Sequence, residues 1–321
     1  MAVISTGLLT KGLRSEFFER LAAREATTWY DKLATRIPST SDSETYKFLG
    51  SVPAMREWGT GREAKGLLTE SYSVENLKYE ATLEVDRDEL SDDQTGQIAI
   101  RVGEMAERAA THKDYLIAQL LLNGTTAGYN SYDGVPFFDA SHSVGSSGSQ
   151  ANEGSFAVAS YAGANLFDEP ASTTLYGPQT ALAAYDVAVA ALMRLKDDRG
   201  DYMHRTPSGF AVACHYSKWS TFRKAFGAQL LPQLGSNILT PDAAPIVIPM
   251  PEITNAAIWY LLKTDGVIKP FIFQDREPIE FTSQDKGSSE EFHKEKYYYG
   301  ARARYRMTYG YWQFAYATTM V

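Results

Sequence analysis

The 321-residue sequence predicts an α+β fold, and three patterns support this class. Apolar residues recur at helical spacing in two long segments, one near the start of the chain and one after residue 90. They alternate with polar residues at a period of two before residue 86 and again after residue 296, which predicts long strands with one buried face. Between these segments strands and helices alternate, so a compact α/β unit is expected inside the larger fold.

The first predicted element is an amphipathic helix over residues 13–33, which Pro38 closes. A polar break, STSDSE, follows it. Two arrangements are open for this helix: it can be a detachable arm, or it can pack on the core of its own chain, the more common fate of an amphipathic helix. Its apolar residues are Phe17, Phe18, Leu21, Ala22, Trp29 and Leu33.

A long hairpin is predicted over residues 46–86. Its tip, MREWGTGREAKG, is rich in glycine and charge and contains one large aromatic residue, Trp58. In the returning strand, alternate residues from Leu77 to Val85 are apolar, which predicts one buried and one wet face. A two-stranded hairpin is marginal on its own in water, so this one needs a partner surface.

A long helix is predicted over residues 91–123, with Ser91 as N-cap, Gln94 at the capping-box position and Gly124 in the stop. At 1.5 Å per residue it would be about 50 Å long, which suits a structural strut. The Ser-, Gly- and Ala-rich residues 140–164 that follow are typical of a flexible or irregular surface excursion.

The second half of the chain begins with a helix opened by Gly177 and Pro178. A buried strand over 210–214 and a short helix follow. Residues 258–262 and 267–273 are predicted to form a hairpin across an Asp-Gly turn. The last clear strand, within residues 296–311, has one aromatic face and one mostly basic face that carries Arg302, Arg304 and Arg306.

Composition excludes several function classes. The chain has 31 basic and 39 acidic residues, a net charge of −8, which argues against a surface built to clamp DNA or an anionic membrane. A single cysteine, Cys214, has no disulfide partner, and no cysteine cluster is present to hold zinc, so a metal-free chain in a reducing compartment is expected. We found neither a signal peptide nor about 20 consecutive apolar residues.

Patterns for catalysis are weak. Asp139 and His142 are three residues apart, whereas Cys214 and His215 are neighbours on a strand, where alternation sends their side chains to opposite faces. The histidines are expected to be solvated or hydrogen-bonded, and Cys214 to be a small buried residue. The glycines of GTGREAKG match no phosphate-binding loop. The arginine row more often pairs with carboxylates on a neighbouring strand or subunit than with nucleic acid.

Several separated segments resemble one family, in the order in which that family has them. These segments are YKFLGSVPAMREWGTGR, YSVENLKYEATLEVDRDELSDD, YDGVPFFDASH and YYYGARARYRMTYGYW. Through them the sequence is similar to the Mu-like phage major head subunit family, over residues 13–312, and its order of elements resembles the tailed-phage major capsid fold of the Hong Kong ninety-seven type.

This resemblance implies a domain organisation. Residues 1–45 would be an N-terminal arm, and 46–80 an extended loop over a neighbouring subunit. A peripheral domain would begin with 81–179, including a spine helix over 91–123, and end with closing strands in 262–321. An α/β axial domain would occupy 180–261. The candidate intersubunit contacts are Phe17, Trp29, Arg56, Glu57, Trp58, Arg62, Glu63, Arg302 and Arg304.

The resemblance also implies a function, without an enzyme activity or a cofactor. The chain would assemble as pentamers and hexamers into an icosahedral shell that encloses double-stranded DNA without reading its sequence. A separate scaffolding protein is expected because the segment before the arm is too short for a fused one. A maturation protease and a portal are further expected partners, with assembly in the host bacterial cytoplasm and no membrane contact. Lys65 lies where some relatives crosslink, but no matching asparagine or glutamate is identified.

Two alternatives stay open. An encapsulin-like compartment shell would share the fold and differ in holding protein cargo in place of DNA. A hydrolase would use His142 or His215, and it would need a concave pocket that gathers those residues.

Overall fold

The computed structural model describes residues 6–47, 72–93, 95–158, 172–227, 230–231, 235–236 and 244–321. The helices in these ranges are α1 Thr6–Glu25, α2 Tyr30–Leu33, α3 Arg87–Asp92, α4 Gln97–Asn123, α5 Pro178–Leu192, α6 Trp219–Gly227 and α7 Ser289–Lys294. The strands are β1 Ala34–Pro38, β2 Ser43–Tyr46, β3 Tyr72–Glu75, β4 Leu77–Asp86, β5 His142–Ser143, β6 Ser149–Gln150, β7 Glu153–Phe156, β8 Phe210–His215, β9 Leu230–Leu231, β10 Gly235–Ser236, β11 Ile246–Met250, β12 Ile258–Lys263, β13 Phe271–Gln284, β14 Lys296–Tyr309 and β15 Ala315–Met320.

A four-stranded sheet has the order β1-β13-β14-β4. Strand β1 runs parallel to β13, and the other pairs are antiparallel. The alternation predicted for the last clear strand is confirmed, because the side chains of Tyr297, Tyr299, Ala301, Ala303 and Tyr305 are all buried. Helices α1 and α4 cover that face, so the aromatic side of β14 becomes the floor of a core.

The start of the long helix differs from the prediction. Helix α4 begins at Gln97, and Ser91 lies in the last turn of the separate helix α3. Asp93 ends that turn, and its carboxylate accepts hydrogen bonds from the backbone N–H groups of Gln97 (3.1 Å) and Ile98 (3.0 Å). A carboxylate at a helix start satisfies free donors and complements the helix dipole, so Asp93 takes the capping role expected of Ser91. Gln94 lies outside the described residues.

A five-stranded sheet has the order β11-β8-β12-β15-β7. Helices α5 and α6 pack against it and against each other, and Phe222 and Trp259 meet in its core at a ring-centroid distance of 5.3 Å. This alternation of strand and helix is the α/β unit that the sequence predicted. Strand β15, which lies within the residues expected for the closing strands of the peripheral part, pairs with β12 and β7 in this sheet. The division into peripheral and axial domains stays a prediction.

The hairpin predicted across Asp265 and Gly266 is wrong. Strand β12 pairs with β8 on one edge and with β15 on the other, whereas β13 pairs with β1 and β14 in the other sheet. Because both edges of β12 are taken, no edge is left for β13. The connection also leaves no room for a side chain at Gly266, where a Cβ atom would lie 2.4 Å from the ring of Phe314.

The segment after α4 is more regular than its composition indicates. Strands β5 and β6 form a small antiparallel ladder, and β7 runs parallel to β15. His142 and Asn152 are completely buried there and anchor the segment to the body of the chain. The surface excursion expected over 140–164 is therefore wrong for the part up to residue 158, and the remainder lies outside the described residues. No helix in the described ranges is long and apolar enough to cross a membrane.

Candidate assembly surfaces

The N-terminal helix packs on the core of its own chain. Phe17 of α1 has no exposed surface and contacts Phe281 of β13 with ring centroids 4.9 Å apart. Leu13 and Leu21, on the same face of α1, are buried between α4 and the four-stranded sheet. Of the two arrangements left open by the sequence, the structure has the second, and Phe17 lies inside its own subunit.

Two charged residues of α4 fix the turn that follows α1. The carboxylate of Asp114 accepts hydrogen bonds from the backbone N–H groups of Trp29 (3.2 Å) and Tyr30 (2.9 Å). Burial raises the pKa of Asp114 to about 6, against these two hydrogen bonds, which lower it. The neighbouring Lys113 donates to Glu25 at 2.8 Å and lies 4.8 Å from the centre of the Tyr30 ring. Trp29, a candidate contact residue, is therefore held half-buried beside this anchor.

Two arginines of the β14 row, Arg302 and Arg304, pair with carboxylates of neighbouring segments, as the sequence indicated. Arg302 forms an ion pair with Glu277 of β13 at 2.9 Å. Arg304 pairs with Asp42, and a second nitrogen lies 3.9 Å from Glu277. The Arg302 side chain is 46% exposed, whereas that of Arg304 is 15% exposed, so Arg302 has more surface left for a partner. Contact between subunits through either residue stays a prediction.

The extended loop is described only at its base. Strand β2 pairs with β3 in antiparallel register, from Ser43 opposite Glu75 to Tyr46 opposite Tyr72. The Tyr46 hydroxyl donates to Gln274 at 2.6 Å, which ties this base to the four-stranded sheet. The contact candidates at the tip lie outside the described residues, as does Lys65; they are Arg56, Glu57, Trp58, Arg62 and Glu63.

His142 forms a buried clamp in the loop after α4. Its Nδ1 lies 2.6 Å from the Asp133 carboxylate, and its ring stacks on Trp312 at a centroid distance of 4.0 Å. The Nε2 atom faces the side-chain oxygen of Asn152 at 3.2 Å. The amide of Asn152 is oriented by its own donations to the carbonyls of Phe137 (2.7 Å) and Trp312 (3.3 Å), so Nε2 is the donor in this contact.

Among the described residues, neither His142 nor Asp133 is accessible to a substrate. The side chain of His142 has no exposed surface, and that of Asp133 is 3% exposed. The partner of His142 is Asp133, nine residues earlier, and not the nearer Asp139, whose carboxylate accepts from Ser141 at 2.7 Å. The pair of His142 and Asp133 ties a loop to Trp312. To act as a general base, His142 would have to lie within hydrogen-bond reach of a substrate, and its burial prevents this.

The remaining candidates for catalysis are dispersed. Cys214 is buried, and burial raises the pKa of its thiol to about 12. His215 points the other way and bonds to Ser217 at 2.8 Å. His204 is buried against the Gln313 carbonyl at 2.7 Å, and burial lowers its pKa to about 4. Among the described residues, no group of three or more acidic, histidine or cysteine side chains could hold a metal ion.

The deciding comparison is with protein-family models. The model described as "Mu-like prophage major head subunit gpT" matches residues 7–168 and 250–320. The chain belongs to the Mu-like major head subunit family. Head subunits of this family are capsid shell proteins.

Two named relatives agree with this Mu-like head subunit assignment. The Mu-like prophage FluMu major head subunit of Haemophilus influenzae is 24% identical over 309 residues, which are 95% of this chain and 70% of the relative. The major capsid protein of Escherichia phage Mu is 37% identical over 120 residues, or 37% of this chain and 39% of that protein.

A solved structure confirms the fold expected for a Mu-like head subunit. A chain of the procapsid of bacteriophage JBD30 aligns with 97% of this chain and 75% of its own length, at a TM-score of 0.53 and 24% identity. The chain therefore has the tailed-phage capsid fold of the Hong Kong ninety-seven type, the class that the sequence predicted.

Proposed function

We propose that this head subunit assembles through rings of five and six copies into a closed icosahedral shell around double-stranded DNA. The observation that carries the proposal is the family match, which extends over both 7–168 and 250–320 and so includes the α1–α4 layer, the whole four-stranded sheet and strands β7, β12 and β15 of the five-stranded sheet. Closed shells of identical chains need repeated contacts between different patches of one surface, and such contacts form rings when the rotation closes.

The charge of the chain supports a shell wall that does not grip DNA. With 39 acidic and 31 basic residues, the net charge is −8. Strong DNA binding depends on many lysine and arginine contacts with phosphate and on counterion release. Two cations on β14, Arg302 and Arg304, are already paired with Glu277 and Asp42. A salt titration with the free subunit is expected to show weak DNA binding, and tight binding would count against this part of the proposal.

The division of labour within the subunit belongs to the same proposal. The extended loop over 46–80, with Arg56, Glu57, Trp58, Arg62 and Glu63, contacts a neighbouring subunit. Residues 81–179 and 262–321 form the peripheral domain, with the spine helix α4, and residues 180–261 form the axial domain. A separate scaffolding protein, a maturation protease and a portal act with the shell, which forms in the host bacterial cytoplasm. The subunit itself catalyses no reaction, which fits the buried positions of His142 and Cys214.

The test is negative-stain electron microscopy of the purified chain over a concentration series, with and without a co-expressed scaffold. Rings, tubes or closed shells are the expected result. A monomer at every concentration in both conditions would contradict the proposal. The nucleic-acid content of particles purified from phage-producing cells then separates a DNA-filled head from a compartment with protein cargo.

A further inference from the structure

An apolar slot lies between α4 and the helix-covered face of the four-stranded sheet, with a cavity volume of about 220 Å³. It exists because small side chains stand where the helix faces the sheet. Helix α4 presents Ala109 there, and β4 and β14 contribute alanines as well. The alanines that form the slot are Ala81, Ala109, Ala301 and Ala303.

The walls of the slot are aromatic. Tyr79 lies 4.8 Å from Tyr305 and 4.6 Å from His112, measured between ring centroids. His112 is held in place because its Nδ1 lies 2.7 Å from the Tyr305 hydroxyl. A dry apolar cavity of about 150 Å³ can hold a benzene ring, so this slot has room for a phenylalanine side chain. Edge-on and offset contacts with such rings favour an aromatic occupant.

A matching side chain projects from α7, the helix that connects β13 to β14. Phe292 of α7 is 84% exposed, far more than most large apolar residues of the chain. Its helix is held firmly: the Ser288 hydroxyl caps the backbone N–H of Glu291 at 3.2 Å. The carboxylate of Glu291 accepts from the backbone N–H of Gly287 (2.6 Å) and from the Tyr297 hydroxyl (2.8 Å). Phe292 is therefore displayed on a fixed support.

The charges around the two features are complementary. The first turn of α7 carries Glu290 and Glu291 just before the exposed ring, and Glu290 also pairs with Lys294 at 2.8 Å. The border of the slot carries Arg108, Arg302 and Glu80, and Arg302 is paired with Glu277. Within the described ranges Arg108 is exposed and forms no ion pair. Opposite charges at the border of an apolar contact steer association and fix its orientation.

Phe292 cannot reach the slot of its own chain. Helix α7 ends two residues before β14 begins at Lys296, and the slot is lined by Ala301, Ala303 and Tyr305 of that strand. At about 3.3 Å per residue, an extended strand places these residues roughly 15–30 Å from its start. The ring that fills the slot must come from another copy.

We propose that Phe292 of one subunit inserts into the slot between α4 and the sheet of a neighbouring subunit. The contact joins two different patches of the same surface, so it is head-to-tail and can propagate around a ring. It rests on the proposed shell function and adds a specific pair of surfaces to it.

Disulfide trapping tests the contact. The natural Cys214 is buried, so the wild-type chain gives a silent background. Two variants of different mass are made, Phe292→Cys and Ala109→Cys. They are co-assembled in equal parts with wild-type chain, so that shells still form, and the product is mildly oxidised. We expect a disulfide dimer that contains one chain of each variant. Shells that form without this mixed dimer would overturn the inference and leave the shell function intact, whereas absence of shells from the wild-type chain would overturn the function itself.

A pair of matched truncations gives a second readout. Phe292→Ala should raise the concentration at which shells appear by about tenfold or more, because buried aromatic anchors dominate interface energies. The control is Val267→Ala, another exposed apolar residue at 93% exposure, which should leave that concentration unchanged. Equal behaviour of Phe292→Ala and the wild-type chain would refute the insertion of Phe292.

Discussion

Substitution of His142 by alanine should be one of the most damaging changes in the described part of the chain. The imidazole lies 2.6 Å from Asp133, whose side chain is 3% exposed, and it stacks on Trp312 at 4.0 Å. Removing one partner of a buried hydrogen-bonded pair leaves the other side chain without a partner, which costs about 1–3 kcal/mol. Loss of the aromatic stack adds about 0.5–1.5 kcal/mol. The expected decrease in the free energy of unfolding is about 1.5–4.5 kcal/mol, a large share of a typical total of about 5–15 kcal/mol.

The assay is equilibrium urea unfolding of the dissociated subunit, followed by far-UV circular dichroism. The matched control is His215→Ala, since His215 is only partly buried and bonds locally to Ser217 at 2.8 Å. That control should lose less than about 1 kcal/mol. The double variant Asp133→Asn, His142→Ala should recover part of the loss, because no charge is left buried without a partner. A loss below about 1 kcal/mol for His142→Ala would refute the argument that the clamp is structural.

Three further changes test other parts of the structure. Phe17→Ala should lower the free energy of unfolding by about 3–5 kcal/mol, since the ring is fully buried between α1 and the sheet. If urea unfolding shows almost no loss, α1 is detached from the core in solution. Burial raises the folded-state pKa of Asp114 to about 6 from 3.8, so the folded state disfavours its charge and stability should fall as pH rises between about 4 and 6. The free energy of unfolding of Asp114→Asn should therefore rise relative to that of the wild-type chain as pH increases across that window. A difference in free energy of unfolding that does not depend on pH would contradict burial of the Asp114 charge as the cause. Gly145→Ala should lower the free energy of unfolding by about 1–3 kcal/mol or more, because Gly145 has φ +58 and a Cβ there would lie 2.1 Å from the Asp198 carbonyl oxygen. The control is Gly148→Ala, at φ +73 with open space around it, which measures the cost of the backbone conformation alone. Thermal unfolding of both variants separates the two contributions.

Local sequence patterns correctly predicted those helices and strands that form regardless of which distant segment packs against them. The strict alternation in β14 was sufficient because each buried residue needs only an apolar layer above it, whichever helix supplies it. The end of α4 at Asn123 followed from the Asn-Gly stop. The start of α4 could not be predicted in the same way, because Ser91 and Asp93 both have side chains that can cap a helix. In the structure Gly96 adopts a left-handed conformation, which separates α3 from α4, and Asp93 caps α4.

The errors came from distant contacts. The Asp-Gly turn near 265 is a true local signal, but β12 already has β8 and β15 on its two edges, and these partners lie far away in the sequence. The Asp133 partner of His142 was missed for a similar reason, since a loop brings together residues nine positions apart without a periodic pattern. Burial of both residues was the decisive property, and the Ser- and Gly-rich composition of the segment concealed it.

The order of strands in the four-stranded sheet has a consequence for synthesis of the chain. Its two edge strands, β1 and β4, come from the first 86 residues, whereas the two central strands follow from residue 271 onward. Strand β4 pairs with β14, which begins at residue 296. At about 5–20 residues per second, a ribosome needs roughly 10–40 s to make the 210 residues between Asp86 and Lys296. During that time the apolar face of α4 has no sheet to cover it, and transiently exposed apolar surface of this kind makes a chain prone to aggregation until its partner strands are made.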